Sequence, residues 1–495
     1  MVFAVLIAVL PILLHPYLPL VDLPNHIARQ YIAANPGTAL DAYYGYTFAM
    51  KGNSAGDLLW LAVGQHITDV YTFSKLLMAL YAANLLLSAV VLARVLHGRW
   101  LIWPLATLLL VFNGPFFWGF QNFVITVPLA LYALAAWIHY EGTRPWLRAI
   151  LFIPVVIVIF ELHILGFIVL LVSAFGREVH RLFEAGRRWR QQLLQHCISA
   201  LPFLFPIGLI VWRTFTAAPN DYGDITRYGS LRARIDILRS PFDVVSNDGS
   251  AVLELFGTMS LIVLVFAFLT LRKKSGLRLV LAPRALGPIL ALAVLSVAVP
   301  SVLDGVAYVQ IRFPFVMAAV AIAGTSWHGV DRRQALWVFL VFAVIAVGRS
   351  VSVEQLAARH SADMQDLSLV LADVPEGARL FPVRMSSDRI DWHLQAYAVP
   401  QANAFVPTLF RGAHALQIEE AWHHIAAAQG KSLPAFMVFD ESNETLGAVS
   451  GFWDNWENDF THVLALGNLD EEMVASSDLL LLGRQGRYEM YEIGS

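Results

Sequence analysis

Residues 18 to 31 read LPLVDLPNHIARQY and place an acid, an amide, a histidine and an arginine directly behind the first apolar stretch. If a helix begins at Asp22, then Asp22, His26 and Arg29 stand at i, i+4 and i+7 and share one face. A carboxylate there could accept a proton from a hydroxyl. The histidine and arginine, with Asn25 beside them, could hold an anion such as a phosphate. Asp22 and Pro24 also fit the first turn of a helix, with the acid as a simple N-cap. A cap accounts for the acid and the proline but not for Asn25, His26 and Arg29 together.

Two further groups carry the same kind of chemistry. Glu161 and His163 lie in ELH, inside a long apolar run. Ionisable groups at membrane depth are costly and normally face a cavity or a partner. They read as site residues or as a structural pair in which Glu161 fixes one tautomer of His163. As metal ligands at i and i+2 they are a weak signal. Asp304, Tyr308, Gln310 and Arg312 occupy the turn DGVAYVQIRFP. The Arg312 guanidinium suits a two-point grip on phosphate, with snorkelling to lipid headgroups as the plain alternative. FNGPFFWGFQNF, residues 112 to 123, reads as an aromatic belt around a tight turn.

The elements that must position these residues are membrane helices. Of the 495 residues 57% are hydrophobic and 14% charged, against about a quarter charged in soluble domains. The fold class is a polytopic α-helical membrane protein with about 10 to 12 segments. Apolar runs at 2–20, 72–93, 101–117, 121–140, 149–176, 194–212, 251–271, 286–303, 313–330 and 335–350 approach the ~20 residues that a crossing needs. They are continuous rather than alternating, which points to helices and not a barrel. The first run has no basic leader and no cleavage site before Asp22 and reads as a retained span. A net charge of −3 gives no support to a nucleic-acid partner. Cys197 is the single cysteine, which rules out an intramolecular disulfide and a cysteine metal centre.

Lys and Arg should mark the cytoplasmic loops. Arg94, Arg99, Arg144, Arg148, Arg272, Lys273, Lys274, Arg332 and Arg333 all fall on that side if the first span runs outward. The run REVHRLFEAGRRWR, 177 to 190, agrees only if the chain turns back at ELH. A continuous helix over 149–176 would be ~42 Å long, too long for one crossing. The reading is therefore a re-entrant or short hairpin, with Glu161 and His163 near the outer face. Residues 21–71, 112–123, 214–250 and 304–314 then meet outside the membrane. The 214–250 loop mixes both signs of charge and reads as solvated, with a lid as the sharper alternative.

From 351 to 495 the charge density is ordinary, and the segment reads as an extracytoplasmic α/β domain. Helices are expected over EQLAARHSADMQDLSLVLADV and LQIEEAWHHIAAAQG, the latter stopped by Gly430. Strands are expected at GARLFPV, THVLALG and DLLLLG, with a final hairpin turning at Gln485 and Gly486. NET at Asn443 fits an exposed turn.

This order, together with VDLPNHIAR over Val21–Arg29, resembles the GT-C superfamily of integral-membrane glycosyltransferases. The resemblance covers the whole chain in architecture. It implies transfer of a sugar from a polyprenyl phosphate or diphosphate carrier to an extracytoplasmic glycan, lipid or protein acceptor, in a bacterial inner membrane. It also implies that a carboxylate in the first outer loop is the catalytic base, here Asp22. Several members carry a paired acid or DxD, whereas Leu23 and Pro24 follow Asp22, so a divalent metal, Mg or Mn, stays open. Asn25, His26, Arg29, Glu161, His163, Asp304, Tyr308 and Arg312 are the candidate substrate-binding residues. A transporter or flippase and a non-catalytic envelope scaffold are the alternatives. Transporters often show repeated halves, and none is visible in this sequence.

Overall fold

A computed structural model of the chain describes residues 1–48, 51–216, 226–243, 251–273, 276–303, 306–329, 331–410, 415–426, 431–435, 438, 455–475 and 477–494. Asp304, Gly430 and Asn443 lie outside the described residues. Among the described residues six helices are long and apolar enough to cross a membrane, joined by shorter apolar ones.

Helix α1 (Val2–Leu13) stops ahead of Pro16 and Pro19, and α2 (Leu23–Ala34) and α3 (Ala55–Ala62) follow as short segments. Helix α4 (Val70–His97) starts on Asp69, whose carboxylate accepts the Tyr71 and Thr72 N–H groups. The run 101–117 is not one α-helix. It is a 3₁₀ segment (Trp103–Leu110) followed by α5 (Gly114–Phe117). Pro115 removes a donor and Asn113 restarts the winding by capping the Phe116 N–H. Helix α6 (Gln121–His139) then leads to the ELH region.

There the chain turns back as expected. Helices α7 (Pro145–Leu162) and α8 (Ile164–Glu184) are separated by His163, whose backbone is extended at φ −164° and ψ 124°. Arg148 in the first turn of α7 reaches Glu178 near the end of α8 at 2.9 Å. A contact between those ends requires antiparallel helices. The two arms are longer than the half-helices foreseen within 149–176, 18 and 21 residues, because α7 begins at Pro145 and α8 continues into the basic run. Within that run Arg177 pairs with Glu141 and Glu184, and Arg181 with Glu178.

Helix α9 (Trp189–Thr216), α10 (Leu231–Asp236), α11 (Ala251–Leu269), α12 (Pro283–Ala298) and α13 (Pro314–Ala323) complete the bundle. Helices α8 and α12 meet at Gly176 and Gly287, where an added Cβ would lie within 2.5 Å of the facing backbone. Such small-residue contacts let membrane helices approach closely. The runs 286–303 and 313–330 are shorter helices than the sequence suggested. Of the first three strands after β1 (Tyr44–Tyr46), β2 (Arg278–Leu281) stands beside the membrane segments, and β3 (Val302–Leu303) and β4 (Val306–Ala307) follow α12. Strand β5 (Thr325–His328) extends α13 and pairs antiparallel with β2.

Helix α14 (Arg332–Leu371) is 40 residues long and opens with an Asp331–Gln334 capping box. At 1.5 Å per residue it spans ~60 Å, about twice the ~30 Å hydrocarbon core. The span at 335–350 and the expected amphipathic helix are thus one element, and the expected boundary at 351 is not a break in the chain.

The C-terminal sheet runs in the order β10 (Leu479–Gln485), β11 (Tyr488–Ile493), β9 (His462–Leu466), β6 (Leu380–Arg384) and β8 (Leu433–Pro434). The strands expected at GARLFPV, THVLALG and DLLLLG are all present. The final hairpin turns at Gly486 and Arg487, because Gln485 itself pairs with Tyr488. The described part of LQIEEAWHHIAAAQG, 416–426, is not an α-helix: β7 (Leu416–Ile418) pairs antiparallel with β1, and a 3₁₀ turn over Glu420–Ile425 follows. Pairing with a strand from the first outer loop overrides the local helical pattern.

Candidate functional site

The approach to Asp22 is fixed from two directions. His15 pairs with Glu354 of α14 at 2.9 Å, and Tyr17 exchanges backbone bonds of 3.0 and 2.9 Å with the Ser361 hydroxyl. Further on, the Val21 and Asp22 N–H groups donate to the Phe117 and Trp118 carbonyls at 3.1 and 3.0 Å. Gly119, at φ 72°, lets that turn pass: a Cβ there would stand 3.0 Å from the backbone nitrogens of Asp22 and Leu23.

Asp22 occupies the N-cap position of α2, with Pro24 in the first turn, but its side chain makes no capping bond. The carboxylate turns instead toward the C-terminal domain, where Oδ1 lies 3.4 Å from His393 Nε2. The Asp22 side chain is 15% exposed and that of His393 3%.

Nine of the twelve residues of α2 are buried. Arg29 shares the helix face with Asp22 as the spacing implied, but Asp57 of α3 holds it at two points, Nε–Oδ2 2.9 Å and Nη2–Oδ1 3.0 Å. Its Nη2 also contacts His26 Nδ1 at 3.0 Å. Burial, then the charge of Arg29, hold the His26 imidazole well below the ordinary histidine range. His26 is therefore a neutral acceptor for Arg29, and Arg29 is engaged through Nε and Nη2 while its Nη1 is buried with no hydrogen-bond partner among the described residues. Asn25 faces the C-terminal domain and accepts the Phe410 N–H at 3.1 Å.

Glu161 and His163 end up at the same pole of the bundle by different routes. The Glu161 carbonyl accepts both the N–H and the hydroxyl of Ser54, at 3.4 and 2.7 Å. His163 caps α8, its Nδ1 accepting the Leu165 N–H at 3.0 Å, and its ring meets Phe123 edge-on at 5.4 Å. The two side chains do not pair. Around them lies an amide network in which Gln30 donates to Gln121 at 3.2 Å and Asn122 donates to Asn53 at 3.0 Å.

The residues 112–123 do not form a lipid-facing belt. Phe112, Phe116, Phe117, Trp118, Phe120 and Phe123 are all buried and wall the site from within. Arg312 is buried with its guanidinium 3.9 Å above the Phe120 ring, its Nε has no hydrogen-bond partner among the described residues, and Asp22 is the acid whose field bears on it. Tyr308 packs against Trp118 with ring centroids 4.2 Å apart and planes tilted by 31°, from a left-handed backbone, φ 59°. Such strain in a non-glycine residue clusters at ligand sites. Trp118, Tyr308, Gln310, Arg239, Asp243 and Arg389 line a cavity of about 660 Å³. A larger cavity of about 1020 Å³ lies apart from Asp22, between α1, the 3₁₀ segment and the start of α14, and is mostly apolar.

The C-terminal domain supplies a partner for Asp22, His393, that local sequence does not reveal. It also brings Arg389 to 5.6 Å over Trp118 and the Lys431 ammonium to 3.9 Å over Trp392. Burial, then the Arg384 charge, push Lys431 below its ordinary value, while Asp22 opposes them. RIDWH at 389–393 is a visible cluster, yet nothing local ties it to an acid 371 residues earlier. Among the described residues no three of His, Cys, Asp and Glu converge on a metal position. Among the described residues, a single carboxylate whose contact is a histidine does not fit a divalent Mg or Mn centre.

No protein-family model and no curated protein matches the sequence. Solved structures do. The crystal structure of ArnT from Cupriavidus metallidurans bound to undecaprenyl phosphate aligns over 100% of this chain and 97% of that one, with a TM-score of 0.54 and 12% identity. The chain shares the fold of that ArnT structure. The apo state of the same ArnT gives a TM-score of 0.52 at 11% identity, again over 100% of this chain and 97% of that one. The cryo-EM structure of the arabinofuranosyltransferase AftD from Mycobacteria gives 0.47 at 14%, covering 100% of this chain and 40% of that one. In this fold Asp22 follows the short apolar helix α1, and the C-terminal domain reaches its carboxylate through His393.

Proposed function

We propose that the protein is a membrane glycosyltransferase that moves a sugar from a polyprenyl phosphate or diphosphate carrier to an acceptor hydroxyl on the extracytoplasmic face. The observation that carries this reading is the state of Asp22: a carboxylate at a helix start that caps nothing, keeps partial exposure, lies 3.4 Å from His393, and exerts its charge on Arg312 and Lys431. ArnT, with its bound undecaprenyl phosphate, supports the carrier class. Arg94 in the last turn of α4, Arg148 in the first turn of α7, Arg181 in the last turn of α8 and Arg332 at the start of α14 mark the basic helix ends, which supports an outer location for the site.

The chemistry is an inverting displacement. The acceptor oxygen attacks the anomeric carbon while Asp22 takes its proton. The bond from that carbon to the carrier oxygen breaks, and its electron pair leaves on the phosphate. Arg312 and Lys431 are fixed cations suited to the developing charge. Charges already in place when the bond breaks need no reorganisation, and they lower a barrier more than most other devices an enzyme has. Trp118, Trp392 and Tyr308 offer flat apolar surfaces for the sugar.

A radiolabelled polyprenyl-linked sugar supplied to purified protein in membranes tests this directly. Transfer by the wild type and its loss in both Asp22→Ala and Asp22→Asn are expected. Unaltered turnover in both variants would sink the base assignment.

A further inference from the structure

We infer that His393 is the positioning residue of the Asp22 base, supplied by the C-terminal domain. This rests on the reading of Asp22 as base. Of the two groups only Asp22 can reach an acceptor: its side chain is 15% exposed, whereas that of His393 is 3% exposed. His393 Nδ1 is buried with no hydrogen-bond partner among the described residues, so Nε2 is the one pole with a counterpart, and that counterpart is Asp22 Oδ1. With its proton on Nε2 the imidazole can donate to Oδ1 once the two groups close from 3.4 Å, which leaves Oδ2 for the acceptor hydroxyl. The 3.4 Å separation is longer than a tight hydrogen bond, and catalytic contacts of this kind shorten when substrate arrives.

The surrounding structure fixes the imidazole ring from several sides. Phe410 meets it edge-on at 5.0 Å, and the Phe410 N–H is in turn held by Asn25 of α2. Two residues before it, Asp391 receives both Nη atoms of Arg487 at 2.8 and 2.7 Å, and the same guanidinium binds Asp363 of α14. The Ser432 hydroxyl donates to the Asp391 carbonyl and the Ser432 N–H to the Trp392 carbonyl, at 3.0 and 2.9 Å. A ring that only filled space would need its shape and not a polar nitrogen aimed at the acid.

The test compares His393→Ala, His393→Gln and Asp22→Asn in the full chain reconstituted in nanodiscs, with each variant's thermal midpoint recorded. The Gln amide can still donate toward Oδ1. His393→Ala is expected to lower kcat by about 10- to 100-fold with KM for the lipid-linked sugar within about twofold, and His393→Gln to recover most of the loss. An unchanged kcat in His393→Ala, a loss confined to KM, or a Gln variant as impaired as Ala at a wild-type midpoint would overturn the positioning role. Turnover by Asp22→Asn would overturn the base reading itself. An inactive Asp22→Asn beside a fully active His393→Ala would overturn only the role of His393.

Discussion

Arg29 and Asp57 form a two-point ion pair in the interior, 1% and 5% exposed, that ties α2 to α3. Removing one partner of a buried pair leaves an uncompensated charge and costs about 3–5 kcal/mol. Arg29→Ala and Asp57→Ala should each lower the thermal midpoint in detergent sharply, and Arg29→Met with Asp57→Leu should recover much of it. If Arg29→Ala keeps its midpoint and instead weakens donor binding, the arginine is a ligand after all.

Gly119 allows the 118–120 turn to lie against the backbone of Asp22. Alanine there must adopt φ near 72° and push on two backbone nitrogens 3.0 Å away. A loss of about 1–3 kcal/mol is expected from the strained backbone. Displacing the base by about 1 Å can cost ~100-fold in rate. Gly119→Ala should therefore lose far more kcat than stability, as read by parallel turnover and melting measurements.

His26 sets a pH dependence of stability. Burial first, and Arg29 second, keep its folded-state pKa well below the ordinary value. The neutral form is the native one, so its contribution is complete above the unfolded value of about 6.5 and is lost as pH falls from there toward the folded value. The midpoint of the wild type should drop between about pH 7.5 and about pH 5.5, and His26→Gln should show a shallower drop. Identical slopes would remove His26 from the account.

The site's donor set predicts metal independence. Transfer should continue in EDTA at close to its full rate, and added Mg or Mn should not raise it. Loss of activity in EDTA that either ion restores would locate a metal that the residues around Asp22 do not suggest.

Much of this fold is legible in the sequence because membrane helices and sheet strands announce themselves through composition and period. The turn at ELH follows from the basic run behind it, and the strands at 380–384, 462–466 and 479–485 from short apolar stretches between Gly, Asp and Asn. The LQIEEAWHHIAAAQG segment has a helical pattern, and its strand exists only through pairing with Tyr44–Tyr46. Asp22 is visible as a candidate acid, but its partners are not: His393 and Lys431 come from the far end of the chain, where only tertiary structure brings them near. Arg29 has the charge and position of a phosphate ligand; nothing in its spacing shows that Asp57 engages it.

Helix α14 runs without interruption from the bundle into the C-terminal domain, and so acts as a keyed shaft. Each residue inserted between the membrane part and Glu354 would rotate everything above it by ~100° and raise it by ~1.5 Å relative to the bundle. Tyr17 and Ser361, His15 and Glu354, and His393 and Asp22 all lie across that joint. Domain height and angular setting are therefore a single quantity in this molecule, written in the length of one helix.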